Sequence, residues 1–359
     1  MVPMVGKYLF ADAPSRVYWE ITRACSLACL HCRAEAAPTA APGQLDTAAG
    51  LKLLRQLAAV TPKPHVVLTG GDPLERADLF ELIAAGRELG LNMSVSPSGT
   101  PRLTEEAIDK FLISGLSAIS LSLDGSTAAR HDAIRGVPGC FERTLVAGRR
   151  AAEVGLAFQV NTLVSAETVD DLPAIDTLVR SIGSTRWSLF FLVSVGRGTV
   201  LTPISAQRTE ELLVWFAERA KLPGPVLTTT EAPHFRRVVL EHRDPTKAAP
   251  QGHGAGMRDG NGVMFIGHDG EVNPSGFLPI VAGNVKMQDP ITIYREAPIF
   301  RSLRAVDGFN GRCGHCEYRA VCGGSRARAY VASGDPLGED PLCVYEPKVR
   351  ETVPTQPAA

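Results

Sequence analysis

No stretch of this chain approaches the roughly 20 consecutive apolar residues that a membrane-spanning helix needs, so no part of the sequence reads as a membrane segment. An excess of charge is also missing: 37 Lys and Arg stand against 38 Asp and Glu, a formal net charge of -1. A general nucleic-acid binder needs a basic surface from which counterions are released. A polybasic membrane anchor needs clustered Lys and Arg. Both classes are excluded. Met1 to Lys7 lack the apolar core of a secretory signal, which makes the cytoplasm the expected compartment. Low-complexity segments and internal repeats are lacking too, apart from a regular alternation of strand-like and helix-like runs.

What the sequence does have is core material and cysteine. At 359 residues with 45% hydrophobic and 21% charged residues, it suits one large domain or a large domain with a small one. Eight cysteines in a reducing compartment read as metal or redox ligands before disulfides. Seven fall into two groups, and Cys140 stands apart at the start of a helix, where a thiol pKa is lowered but a structural role is the commoner one.

The first group, Cys25, Cys29 and Cys32, is spaced C-x3-C-x2-C directly after the apolar run that ends at Thr22. Three thiolates on one loop hold three corners of a cubane iron-sulfur cluster, which normally takes four. The fourth iron is left open, and an open iron can bind a small molecule and pass it an electron. Zinc is the competing metal, but it wants four ligands, usually in C-x2-C pairs. His31, between two of the cysteines, is badly placed to complete such a set.

Strands are expected over 17–22, 65–69, 92–96, 118–124, 157–164 and 188–195, with helices opening at Leu45, Asp78, Thr104, Phe141, Val169 and Gln207. Strands that alternate with helices imply parallel βα units. Cys25, Gly70, Ser98, Asp124, Asn161 and Gly196 all lie near or just after the C-terminal ends of these strands, which is the active face of a βα barrel. The expected fold is therefore α/β, a partial (β/α)6 TIM-type barrel over 17–222, preceded by an extension at 1–16. Beyond it the texture turns Pro- and Gly-rich, with a hairpin-like pattern around His268-Asp269-Gly270. A small C-terminal domain is expected over 223–346 and a frayed tail over 347–359.

The cysteine loop resembles the C-x3-C-x-aromatic-C signature of the radical S-adenosylmethionine (SAM) superfamily, with His31 in the aromatic position. The resemblance implies a 4Fe-4S cluster on Cys25, Cys29 and Cys32 whose open iron chelates SAM. Gly70-Gly71-Asp72-Pro73, on its own also an ordinary turn, resembles the family's Gly-Gly-Glu-Pro, implying that Asp72 meets the ammonium of SAM with a shorter reach than Glu. Ser122 and Asp124, with Arg135 in Ile134-Arg135-Gly136, are similar to segments lying near the ribose and the methionine carboxylate. Read alone, Asp124 is equally a helix N-cap and Arg135 a surface ion pair. Asn161, Ser98 and His31 complete the implied SAM contacts.

Cys313, Cys316, Cys322 and Cys343 form a full four-thiolate set, suited to a second, fully ligated 4Fe-4S cluster or to zinc. The spacing C-x2-C-x5-C with a distant Cys resembles the SPASM/Twitch extension of radical SAM maturases, and implies an auxiliary cluster for electron transfer. The seven-cysteine version of that pattern has cysteines where this chain has His253, Ser275 and Ser325, so one of its two auxiliary clusters is expected to be absent. The segment from Cys316 to Tyr330 is most similar to maturases of alternative haem synthesis and of the denitrification haem. A tetrapyrrole substrate follows, with Arg326 and Arg328 as candidate partners of its carboxylates. The alternatives are a precursor peptide substrate and, from another class, a non-catalytic iron-sulfur or zinc protein. A reductant such as flavodoxin or ferredoxin is the implied protein partner.

Overall fold

Along the strands, burial alternates with chemistry. In β1 (Arg16–Thr22), Val17, Trp19 and Ile21 are fully buried under helices, whereas Arg16 and Tyr18 on the other face are half-buried. The same division holds in β4 (Ala118–Ser122), where Ile119 and Leu121 enter the core and Ser120 and Ser122 do not. A strand buried on one face reads as period two. The computed structural model, which describes residues 10–243 and 256–348, shows what that period builds.

Between these strands lie α1 (Thr47–Ala58), β2 (His65–Gly70), α2 (Leu79–Glu88), β3 (Asn92–Val95) and α3 (Glu105–Ile113). After β4 come α4 (Ala128–Arg135), α5 (Cys140–Glu153), β5 (Phe158–Val164), α6 (Leu172–Ser181), β6 (Arg186–Phe191) and α7 (Ala206–Arg219). Local chemistry sets the helix starts: Asp46, Thr104 and Ser205 each accept a backbone N–H from their own first turn. Leu53, Leu54 and Leu57 of α1 then pack on the sheet, and Trp19 sits so close to Gly50 that a Cβ there would lie 2.8 Å from the indole.

The chain continues through β7 (Val226–Thr230), α8 (Phe235–Glu241), β8 (Val263–Ile266), β9 (Glu271–Asn273) and β10 (Gly283–Asn284). All belong, with the earlier strands, to one ten-stranded sheet in the order β10-β9-β8-β1-β2-β3-β4-β5-β6-β7. Strands β1 to β7 are parallel neighbours in sequence, and β8 joins β1 in parallel from the other side. This is an open, TIM-like curl. The sheet is larger than the six strands the sequence suggests: β7 and β8 lie beyond residue 222 yet extend it at its two ends. Four more helices follow α8 among the described residues, α9 (Pro290–Glu296), α10 (Pro298–Arg304), α11 (Gly311–His315) and α12 (Arg326–Ser333), and complete the C-terminal part.

A filled TIM barrel carries layers of bulky branched residues inside. Here the inward positions are Arg16, Tyr18 and Glu20 on β1, His65 and Thr69 on β2, Ser120 and Ser122 on β4, Gln159 and Asn161 on β5, and Arg186 and Ser188 on β6. Most are half-exposed, so the interior is a polar recess, and the apolar core lies between sheet and helices.

Candidate active site

The cysteine loop leaves the C-terminal end of β1 and is tied down from three directions. Arg197, after β6, donates from Nε to the Cys29 carbonyl at 3.0 Å and from Nη1 to the Ala36 carbonyl at 2.9 Å. Ala28 and Leu30 donate their N–H groups to the carbonyls of Arg135 and Ile134 at the end of α4. Gly136, in the left-handed region at φ 71°, is needed there because a Cβ would lie 2.6 Å from the Ala28 carbonyl. Each thiol also has a donor directed at it. Cys25 Sγ accepts from Leu27 N–H at 3.4 Å, Cys32 Sγ from Ala36 N–H at 3.4 Å, and Cys29 Sγ from Arg135 Nη1 at 3.8 Å. Burial pushes the Cys25 thiol up to about 11, and a metal ligand must give up that proton on binding.

Gly70 and Gly71 run directly against this loop. Gly71 N–H donates to the Thr22 carbonyl at 2.8 Å and Asp72 N–H to that of Ala24 at 2.7 Å. A Cβ on either glycine would lie 2.3 Å from a loop carbonyl. The glycines thus admit the cysteine loop itself, a nearer cause than the approach of a ligand. Asp72 corrects a second expectation. Its side chain is fully buried and both oxygens are engaged, Oδ1 accepting from Leu74 and Ser98 N–H and Oδ2 from Thr100 Oγ1 at 2.6 Å. It is not an open carboxylate awaiting an ammonium but a brace between the ends of β2 and β3. Ser98 reinforces it, donating from Oγ to the Gly71 carbonyl at 2.8 Å.

Asp124 and Arg135 form a buried ion pair at 2.5 Å beneath Cys29. Burial opposes ionisation of Asp124, but Arg135 keeps its carboxyl below the usual range. The surface ion pair and the N-cap considered for these residues are both replaced by this contact; the N-cap of α4 is Thr127. Asp124 N–H also donates to His131 Nδ1, whose Nε2 lies 3.4 Å from Cys140 Sγ. Cys140 packs with Cys25 and Cys29, and burial pushes its thiol up to about 11, as a structural cysteine rather than a nucleophile. His31 is held neutral, at about 4, by burial and by Arg135. Ser122 and Asn161 sit side by side in register on β4 and β5.

In the C-terminal part, Cys313, Cys316, Cys322 and Cys343 line one cavity with Arg237, Tyr318 and Tyr345. Donors again face sulfur: Tyr318 N–H to Cys316, Gly324 N–H to Cys322, and Arg326 Nη2 to Cys313 at 3.6 Å. Arg326 and Arg328, expected to meet substrate carboxylates, are instead engaged by the protein itself. Arg326 is fully buried and donates to the carbonyls of Pro336 and Gly338, and Arg328 pairs with Asp340 at 3.0 Å. Ser325 is the N-cap of α12 and donates to Glu231, and Ser275 caps a tight turn at Phe277. His253 lies outside the described residues.

Among the described residues, no three His, Cys, Asp or Glu side chains converge closely enough to hold a single ion between them. Mononuclear zinc needs such convergence. A cubane takes its thiolates on separate corners, and the three loop thiols, each met by a donor, and the four thiols lining the C-terminal cavity are donor sets of that kind.

Residues 19–179 match the model of the radical SAM superfamily. The chain is 39% identical over 341 residues to AdoMet-dependent heme synthase of Nitratidesulfovibrio vulgaris, covering 92% of each. It is 30% identical over 352 residues to pre-heme d1 synthase of Dinoroseobacter shibae, covering 91% of this chain and 85% of that one. In structure it is similar to Streptococcus suis SuiB bound to S-adenosylmethionine, with a TM-score of 0.72 and 17% identity over 93% of this chain and 78% of the other.

Proposed function

The chain belongs to the radical SAM superfamily, and from that premise we propose that it oxidises a tetrapyrrole side chain in the synthesis of a haem-type cofactor. As a radical SAM enzyme it uses SAM and a 4Fe-4S cluster. The names of its relatives, both haem-type synthases, support the tetrapyrrole substrate over a precursor peptide.

Cys25, Cys29 and Cys32 would hold the SAM cluster, with Arg135 and two backbone N–H groups offsetting the charge on sulfur. When bound, that cluster supplies an electron for reductive cleavage of SAM to methionine and a 5'-deoxyadenosyl radical. The Gly70-Gly71 backbone, braced by Asp72 and Ser98, would line the methionine end of SAM, and Ser122 and Asn161 the ribose. His31, half-buried between two of the cysteines, closes the loop side. The chain's own task is orientation and the exclusion of side reactions. Cys313, Cys316, Cys322 and Cys343 would hold a fully ligated auxiliary cluster that accepts the electron left on the substrate. A flavodoxin or ferredoxin would supply the reducing electron.

The observation that carries this reading is the juxtaposition of a three-thiol loop, each thiol met by a donor, with a row of half-buried polar residues on the inner face of the strands it caps. The test is anaerobic reconstitution with iron and sulfide, then reduction with SAM and an iron porphyrin bearing propionates. About eight irons per chain, 5'-deoxyadenosine and loss of carbon dioxide from the porphyrin are expected. Zinc in the C-terminal set, or no deoxyadenosine, overturns it.

A further inference from the structure

The inner wall of the barrel carries a second feature, at the end opposite the cysteine loop. Arg16, His65 and Arg186 are the first residues of β1, β2 and β6, and each occupies an inward position, because its neighbours Val17, Val66 and Trp187 are fully buried in the outer core. Arg16 and His65 are register partners on adjacent strands. Arg16 donates from Nη1 to Tyr18 Oη at 3.4 Å, and His65 Nε2 is taken up by Ser94 Oγ at 2.7 Å. Arg186, next to Gln159 in register, is half-buried.

No salt bridge engages either arginine among the described residues; Arg16 meets Tyr18, and Arg186 lies within the electrostatic reach of Arg16 and Tyr18. Burial together with these two arginines holds His65 neutral, at about 4. The nearest inward carboxylate along β1, Glu20, is already engaged by Arg33, Arg23 and His268. Two like charges facing one half-buried recess repel, and neither is neutralised by the protein. An anion between them removes the repulsion, and two guanidinium forks with a phenol beside them match the planar geometry of a carboxylate.

We propose that Arg16 and Arg186, flanked by Tyr18, bind a carboxylate of the substrate on the barrel wall opposite the cysteine loop. The six residue steps from Arg16 to Thr22 at about 3.3 Å each put this contact roughly 20 Å below the loop. A substrate that reaches both ends is therefore large and carries an acidic group remote from the reacting one. A tetrapyrrole with several propionates has that form, and binding energy taken from the remote group serves to orient the reacting one. The inference rests on the tetrapyrrole reading, and it relocates the carboxylate contact from Arg326 and Arg328, which the fold has buried.

The test titrates the reconstituted holoenzyme anaerobically with iron coproporphyrin III and, separately, with its tetramethyl ester, following porphyrin absorbance. The wild type should bind the acid at least tenfold more tightly than the ester. Arg16→Gln and Arg186→Gln should each weaken binding of the acid about 10- to 100-fold while leaving the ester unchanged, as expected for loss of one charge-assisted pair. Arg186→Lys should recover part of the loss. Thermal midpoints and iron content check that the variants are folded; if one is not, the acid-to-ester ratio of the wild type and the other variant decide. Equal binding of acid and ester by the wild type, or a folded variant that binds the acid like the wild type, overturns the inference and leaves the tetrapyrrole reading standing. A wild type that binds neither porphyrin overturns that reading, and the inference with it.

Discussion

Arg135 and Asp124 meet at 2.5 Å with both side chains almost wholly out of solvent. The pair also ties Asp124 to the cysteine loop, because Arg135 is the residue that donates to Cys29.

Removing one partner of such a pair strands the other charge in the interior. Arg135→Met is expected to destabilise the fold by about 3 to 5 kcal/mol. The double variant Arg135→Met with Asp124→Asn should lose less than the sum of the two single changes. Urea unfolding of the four proteins measures the coupling, and strict additivity would contradict a paired role.

Glu20 gives a pH dependence of known sign. Burial alone would raise its pKa, but Arg33, His268 and Arg23 bring it from 4.5 down to about 2. The folded state therefore gains stability above pH 4.5 that is lost as pH falls towards 2, about 3 kcal/mol for a shift of this size. Thermal melts between pH 6 and pH 3 should fall more steeply for the wild type than for Glu20→Gln. Parallel curves would show that Glu20 does not contribute.

Asp72 is a brace, so its shape matters more than its charge. Asp72→Asn keeps two of three acceptor contacts, since the Thr100 hydroxyl can turn to accept from the new amide. SAM cleavage should stay within about tenfold of the wild type, whereas Asp72→Ala, which leaves the Ser98 and Leu74 N–H groups unmet, should lose considerably more. A loss with Asn as large as that with Ala would indicate direct contact with a charged ligand.

The two cysteine sets should fail independently. Cys29→Ala is expected to abolish deoxyadenosine formation and to remove about half of the iron, the share of one cubane. Arg197→Ala should act in the same direction but partially, by loosening the Cys29 and Ala36 carbonyls it holds. Iron analysis and Mössbauer spectra separate these outcomes from a general loss of folding, which would empty both sites.

Much of the fold is legible in the sequence because it is local. The period-two burial of β1 and β4 and the capped, amphipathic α1 and α3 follow from neighbouring residues, and so do the two cysteine sets. What is not legible depends on partners far along the chain. Val226–Thr230 is mostly threonine and reads as nothing in particular until β6 pairs with it. The hairpin of β8 and β9 reads as local, but its parallel docking on β1 spans more than 240 residues and leaves no mark in either segment. Arg326 and Arg328 read as partners for substrate carboxylates because arginine is rarely buried, and only the carbonyls and carboxylate of the surrounding turns explain them. Gly70 and Gly71 signal a close approach correctly, but not by what. The arginines at the head of β1 and β6 carry no motif at all; only the curl of the sheet turns them towards each other.

A recess lined by Ser120, Ser122, Gln159, Asn161 and Arg186 contributes little to holding the molecule together, since the apolar contacts lie on the opposite face of the same strands. Folding and selectivity are thereby assigned to alternate residues of one ribbon. Apart from Glu20, whose ion pairs hold the loop side, an inward residue can be exchanged with less penalty in foldability than its outward neighbour. A chain built this way can acquire a new substrate by point substitution at every second position, with the cysteine loop and its supports left untouched.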